Sequence, residues 1–236
     1  MADERTYDYI RDNLARVREK IADAAIQGGR SPEEITLVGV SKLHPAEAAM
    51  AAYRAGLTDL GENRTQELLA KIHRLGDEGL SPRWHMIGTL QRRKVRDILG
   101  RTALIHSVDR EELFDEIAVR SEASGMITRV LLEVNVSGEV SKHGFGPGDA
   151  DRLLALTRRT TGIQVCGLMT MAPFTQDRTV LDAVFAQMHE LYLTMQTQGA
   201  GEQFRILSMG MSNDYPVAIR HGATHVRIGT ALFAPP

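Results

Sequence analysis

Ile35-Thr36-Leu37-Val38-Gly39-Val40-Ser41-Lys42 is the stretch on which the fold turns. Apolar, mostly branched residues at nearly every position, rather than at every second one, describe a strand covered on both faces, the habit of a parallel sheet wrapped in helices. The next residues, Leu43-His44-Pro45, turn the chain toward a helix. Lys42 therefore emerges where the strand leaves the core. An amine partly withdrawn from water at that point is more readily neutral and can attack a carbonyl to form a Schiff base. The plainer alternative is a solvated lysine in a strand-end ion pair.

On the N-terminal side, Ile10, Leu14, Val17, Ile21 and Ala24 or Ala25 recur at intervals of three and four, predicting an amphipathic helix closed by Gly28-Gly29. On the other side, apolar runs at Leu57 to Gly61, Trp84 to Ile87, Ala103 to Ser107, Arg129 to Val136, Ile163 to Leu168, Phe204 to Leu207 and Thr224 to Ile228 each read as a strand. With the first, that makes about eight. Helical segments such as Arg110 to Ser124 and Leu181 to Gln198 fill the gaps, so each connection is long enough for a crossover and the sheet is expected to be parallel. The predicted fold is α/β, a single (β/α)8 TIM-type barrel preceded by an N-terminal helix, with residues 1–236 forming one domain. A doubly wound open sheet is the alternative. Gly144-Phe145-Gly146-Pro147-Gly148 lacks the spacing of a dinucleotide fingerprint and reads as a loop before a helix at Asp149.

Composition narrows the function. The chain has 236 residues, 43% hydrophobic, and a formal charge of -2 with acids and bases interspersed, so no global field recruits nucleic acid or an anionic membrane. Arg92-Arg93-Lys94 with Arg96, the one basic cluster, reads as the solvated face of a short helix. The single cysteine, Cys166, has no internal partner and lies in a strand with no charge nearby in sequence, which fits a reduced, cytoplasmic setting and excludes a thiolate nucleophile. No apolar run is long enough to cross a membrane, and the N-terminus lacks the apolar region of a signal peptide. His221 and His225 are four apart across an expected helix end, so they are not read as metal ligands. No G-x-S-x-G elbow occurs.

The C-terminal strand ends of such a barrel form its active face. Lys42 follows the first strand, and Gly61-Glu62-Asn63 follows the second, with Asn63 as a ligand or a helix cap. His85, in Trp84-His85-Met86-Ile87-Gly88, could stack on a planar ring or be a satisfied core histidine. Glu133, Asn135 and Ser137 alternate and are expected to point into the barrel. Met169-Thr170-Met171-Ala172 supplies either a soft wall or core filler. Leu207-Ser208-Met209-Gly210-Met211-Ser212-Asn213-Asp214, with a helix expected near Ser212, and Val226-Arg227-Ile228-Gly229-Thr230 stand at the seventh and eighth strands, where barrels commonly bind phosphate. A strand-end lysine opposite a phosphate site points to a ligand carrying an aldehyde and a phosphate, as pyridoxal 5'-phosphate does.

These residues also resemble the pyridoxal phosphate homeostasis proteins, single-domain relatives of the alanine racemase N-terminal barrel. The resemblance rests on seven ordered motifs: Val40-Ser41-Lys42, Gly61-Glu62-Asn63, Trp84 to Gln91, Asn135-Val136-Ser137 with Lys142 and Gly144, Gly167-Leu168-Met169, Ser208 to Ser212, and Val226 to Thr230. It implies that Lys42 holds the cofactor as an internal aldimine, that Ser212, Gly229 and Thr230 bind its phosphate, that Arg227 faces the pyridine nitrogen, and that Asn63 and His85 border the ring. The chain departs from the family's pattern at Ala231-Leu232-Phe233-Ala234-Pro235-Pro236, where a glycine and a basic residue usually follow the phenylalanine. The resemblance further implies a monomeric cofactor carrier or regulator of amino- and keto-acid balance, with apo forms of pyridoxal phosphate enzymes as acceptors and no catalytic residue. Two alternatives stand beside it: a pyridoxal phosphate-dependent amino-acid racemase, and a Schiff-base aldolase acting on a phosphorylated substrate.

Overall fold

A computed structural model describes residues 4–139 and 143–235. Among these, eight strands run parallel in the order β1-β2-β3-β4-β5-β6-β7-β8, and β1 also pairs with β8, so the sheet closes into a barrel. The strands are β1 Thr36–Val40, β2 Asp59–Glu62, β3 Arg83–Met86, β4 Leu104–Val108, β5 Thr128–Glu133, β6 Ile163–Met169, β7 Ile206–Ser208 and β8 His225–Ile228. Each lies within two or three residues of its sequence expectation. The open-sheet alternative is excluded by the β1–β8 pairing.

The helices are α1 Tyr9–Gln27, α2 Ala46–Arg54, α3 Thr65–Gly76, α4 Val95–Ile98, α5 Glu111–Ala123, α6 Ala150–Thr157, α7 Arg178–Thr197, α8 Tyr215–Arg220 and α9 Thr230–Phe233. Because every strand is sheathed by helices outside and packed by side chains inside, strands such as β4 are buried at all positions. The main apolar cluster lies between barrel and helices. A smaller one, Leu104, Leu131, Cys166, Met169 and Ile206, fills part of the barrel interior.

The stripe Ile10, Leu14, Val17, Ile21, Ala24 and Ala25 of α1 is buried throughout. The helix stops where Gly29 adopts φ +68°, and the Arg30 N–H returns to the Ala25 carbonyl at 2.9 Å, a glycine-dependent C-terminal turn. Within the departing C-terminal stretch, residues 232–234 are held against this helix. Phe233 is fully buried, Tyr9 Oη donates to its carbonyl, and Asn13 Nδ2 donates to the carbonyls of Leu232 and Ala234, all at 3.0 Å.

One expectation shifts. Strand β5 ends at Glu133, so Asn135 and Ser137 lie in the following turn, where Ser137 Oγ donates to Asn135 Oδ1 and Asn135 Nδ2 donates to the Glu139 carbonyl. The glycine-rich loop is stitched to this strand end: the Phe145 N–H donates to Glu133 O, and the Asn135 N–H to Phe145 O. Lys142 lies outside the described residues.

Candidate functional site at the C-terminal mouth of the barrel

Lys42 stands two residues beyond β1 with its side chain exposed, so the partial burial expected of it is absent in the protein alone. Leu43, which follows, holds φ 65° and is 84% exposed; a left-handed backbone is costly for a branched residue and here re-aims the chain just after the lysine.

The buried lysine is a different one. Lys71 of α3 donates to Glu62 Oε1 at 2.5 Å and to the backbone carbonyl of Ser41 at 2.7 Å, and Ser41 Oγ donates to the same Glu62 oxygen. Both charged side chains are almost wholly buried. This cluster ties β2 and α3 to the residue immediately before Lys42. Glu62 Oε2 is the one buried side-chain oxygen or nitrogen among the described residues that has no hydrogen-bond partner. Sequence reasoning passed over Lys71, though Leu68, Lys71 and Leu75 mark it as a charge set in the apolar stripe of α3.

Below the mouth, a line of polar side chains crosses the barrel interior. Asp59 Oδ1 meets His85 Nε2 at 3.0 Å, His85 Nδ1 meets His106 Nε2 at 2.9 Å, and His106 Nδ1 meets Ser208 Oγ at 2.9 Å. Arg227 closes it, donating from Nη1 to Ser208 Oγ at 2.7 Å and from Nη2 to the Thr170 carbonyl at 2.9 Å. Strands β4 and β7 are not neighbours, so the His106–Ser208 bond spans the interior. All five groups are buried.

Their charges follow from these contacts. Burial alone would raise the Asp59 carboxyl, but hydrogen bonds from His85, Arg83 and Thr58 hold it well below the usual carboxylate range, so it is ionised. Burial, with the Arg227 cation nearby, pushes His106 well below 6.5. His225 is pushed down to about 3, first by burial and then by His85. Arg227 is lowered to about 10 by burial, against the pull of Glu133 and Asp214, and remains a cation at neutral pH. Sequence reasoning singled out His85, Ser208 and Arg227 but neither Asp59 nor His106. With both ring nitrogens engaged, His85 reaches any ligand only through this chain.

At the β7 and β8 ends, Gly210 takes φ +93° where the turn presses on α8; an added Cβ would stand 2.7 Å from that of Ala218. The Asp214 carboxylate takes the Met211 N–H at 2.5 Å, which delays the helix to Tyr215 instead of starting it near Ser212. Ser212 Oγ accepts the Ala231 N–H at 3.2 Å, linking the loop after β7 to that after β8. Gly229 and Thr230 begin the short α9 beside it. Lys42, Ser212, Gly229 and Thr230 thus all follow C-terminal strand ends, and Arg227 lies just inside.

Asn63 is half-buried after β2 and does not cap α3, whose first flanking residue is Arg64; its backbone packs so closely on Gly88 that a Cβ there would sit 2.4 Å from the Asn63 carbonyl. Burial and the neighbouring Asp109 carboxylate push Glu133, at the end of β5, up to about 7, with Arg227 opposing. Cys166 is not without a charge nearby in space, since Arg129 Nε approaches its sulfur at 3.4 Å. His221 is bonded to Asp182 at 2.8 Å, and no group able to hold a metal ion occurs among the described residues. Among them, no helix is long and apolar enough to cross a membrane.

The family model of the alanine racemase N-terminal domain matches residues 6–235 of this closed eight-stranded barrel and its N-terminal helix. The pyridoxal phosphate homeostasis protein of Aquifex aeolicus is 41% identical over 222 residues, covering 94% of this chain and 96% of that one. The chain belongs to the pyridoxal phosphate homeostasis protein family. Among solved structures, a protein of Bifidobacterium adolescentis superposes with TM-score 0.91 at 34% identity, covering 99% of this chain and 98% of its own. PipY of Synechococcus elongatus, solved with PLP bound, gives 0.82 at 33% identity, covering 95% of this chain and all of its own.

Proposed function

We propose that this chain binds pyridoxal 5'-phosphate at the C-terminal mouth of its barrel and acts, as a monomer, in the cell's supply of that cofactor and in amino- and keto-acid balance. The carrying observation is the placement of an exposed Lys42 at the same mouth as the joined β7 and β8 loops, with Arg227 between barrel interior and opening. Pyridoxal phosphate supplies an aldehyde, a phosphate and an electron-accepting ring. The donor set fits all three. The Lys42 amine is accessible for covalent attachment. Because Ser212 Oγ already accepts from Ala231, its own O–H is free to donate to a phosphate, alongside Thr230 and the backbone at Gly229. Arg227 faces the ring nitrogen, and Asn63 borders the ring. PipY, a third identical in sequence and solved with PLP bound, supports the reading.

A guanidinium donates only, so Arg227 keeps a partner nitrogen unprotonated and weakens the electron sink that Cα deprotonation needs. Turnover at racemase rates is not expected, and apo forms of pyridoxal phosphate enzymes are the fitting acceptors. The purified full chain loaded with cofactor is expected to absorb near ~420 nm. Borohydride reduction and peptide mapping are expected to place the pyridoxyl mass on Lys42, and label on another lysine would refute the assignment. Ser212→Ala is expected to weaken binding by about 1 to 3 kcal/mol, the range for one charge-assisted hydrogen bond. Unchanged affinity in both Ser212→Ala and Thr230→Ala would remove the phosphate from these loops. Incubation with L-alanine in deuterated water is expected to give D-alanine at well below roughly 1 per second, an ordinary enzyme rate.

A further inference from the structure

With one proton on each imidazole, the hydrogen-bond chain through the barrel interior has one consistent direction. An ionised Asp59 can only accept, so His85 Nε2 carries the proton between them. Where that is the only ring proton of His85, Nδ1 accepts, and the proton in the His85–His106 contact belongs to His106 Nε2. A neutral His106 in turn accepts at Nδ1 from the Ser208 hydroxyl, whose oxygen accepts from Arg227 Nη1. Every donor therefore points from the cation toward the carboxylate: Arg227 to Ser208, Ser208 to His106, His106 to His85, His85 to Asp59. With one proton on each ring, reversing the middle would leave two acceptors facing each other at Asp59; a second proton on His85 would reverse it and leave Ser208 Oγ accepting from both sides. Aligned chains of this kind strengthen each bond, and in a buried setting each has no water to replace it.

We propose that His106, backed by His85 and Asp59, is a positioning residue for Arg227: it holds the Ser208 oxygen turned toward the guanidinium and so fixes the aim of Arg227 at the barrel mouth. The polarity is set at the far end, where Asp59 borders a cavity at the N-terminal strand ends together with Arg18, Thr36, Thr58 and Arg83. A change at one face of the barrel is thus read at the other. This role rests on the proposed function only insofar as Arg227 serves the ring nitrogen of pyridoxal phosphate.

The test uses the full chain labelled with ¹⁵N-histidine. In the cofactor-free protein, imidazole nitrogen shifts are expected to show His106 protonated at Nε2 and bare at Nδ1. Asp59→Asn can offer an amide donor in place of the carboxylate, so it is expected to convert at least part of the population to the Nδ1-protonated form. Arg83→Gln breaks the ion pair on the same carboxylate but leaves it facing His85, and is expected to keep the tautomer unchanged. With pyridoxal phosphate as the probe, Asp59→Asn and His106→Gln are each expected to raise the dissociation constant roughly five- to tenfold, the effect of one hydrogen bond, while Arg83→Gln does not. His106 protonated at Nδ1 in the unaltered chain, or an Arg83→Gln effect equal to that of Asp59→Asn, would overturn the proposal. So would unchanged binding in both Asp59→Asn and His106→Gln. The tautomer measurement needs no cofactor, so it stands or falls apart from the cofactor reading, whose own failure would show as absent visible absorbance in the unaltered chain.

Discussion

Glu133 carries the clearest single-residue pH signature. Burial, then the charge of Asp109, raise its carboxyl from the ordinary 4.5 to about 7. A raised acid binds its proton more tightly folded than unfolded, so its favourable contribution is complete below 4.5 and is lost as pH climbs to 7. The loss amounts to up to about 3 kcal/mol, at roughly 1.4 kcal/mol for each unit. Glu133→Gln, which cannot ionise, is expected to flatten the stability profile over that window and to leave the variant more stable than the parent at pH 8. Urea unfolding from pH 4.5 to 8 checks it, and parallel profiles would show that Glu133 is not the group responsible. At this scale the sequence was partly legible. Lys42, Ser212, Gly229 and Thr230 could be found because strand ends and glycine turns are local signals. Lys71 carried a signal that was passed over, a charge in the apolar stripe of α3, whereas Asp59 and His106 could not be found, because what makes each notable is a partner 26 or 102 residues away.

Among the elements, β6 shows how one residue shapes a strand. The register against β5 slips between Val130 and Leu131, so Cys166 is an extra residue in the ladder and Gly167 takes the distortion at φ +150°. A Cβ on Gly167 would lie 1.7 Å from the Ile206 carbonyl oxygen in the neighbouring β7. No rotamer relieves a clash with backbone. Gly167→Ala is therefore expected to cost more than about 3 kcal/mol. In calorimetry that lowers Tm by at least roughly 6 to 12 °C for a chain of this size, and a drop under 2 °C would mean the strands can part without penalty. Strand identity was readable because residues covered on both faces form nearly unbroken apolar runs. The bulge was not, since a glycine in a strand announces a close approach without naming the partner. The end of β5 was misjudged because Asn135 and Ser137 continue the alternation of a strand while their side chains bond one another and the following turn.

For the molecule as a whole, Asn13 makes two of the side-chain bonds that hold the first helix to the last turn, beside that of Tyr9. Asn13 is buried and donates to the carbonyls of Leu232 and Ala234, while its own Oδ1 accepts from Arg16 at 2.5 Å. Asn13→Ala leaves the buried Leu232 carbonyl unpaired and is expected to destabilise by about 1 to 3 kcal/mol. Asn13→Asp, the same shape with oxygens facing two carbonyls, should be worse. Unfolding of both in urea orders them, and an aspartate variant as stable as the parent would rule out the proposed pairing. The closed barrel itself was expected because every strand-to-strand connection had room for a helix. The clasp between the two ends of the chain was not, because its partners are more than 200 residues apart.

The pairing of β1 with β8 also has a consequence in time. A ribosome adding roughly 5 to 20 residues per second makes the first strand some 10 to 40 s before the last. For that interval Leu37, Val38 and Val40 belong to an edge with one side open, and the apolar stripe of α1 has nothing to lie on at α8 or α9. The nascent chain, rather than the finished barrel, is the form most exposed to mispairing and most in need of a chaperone's cover.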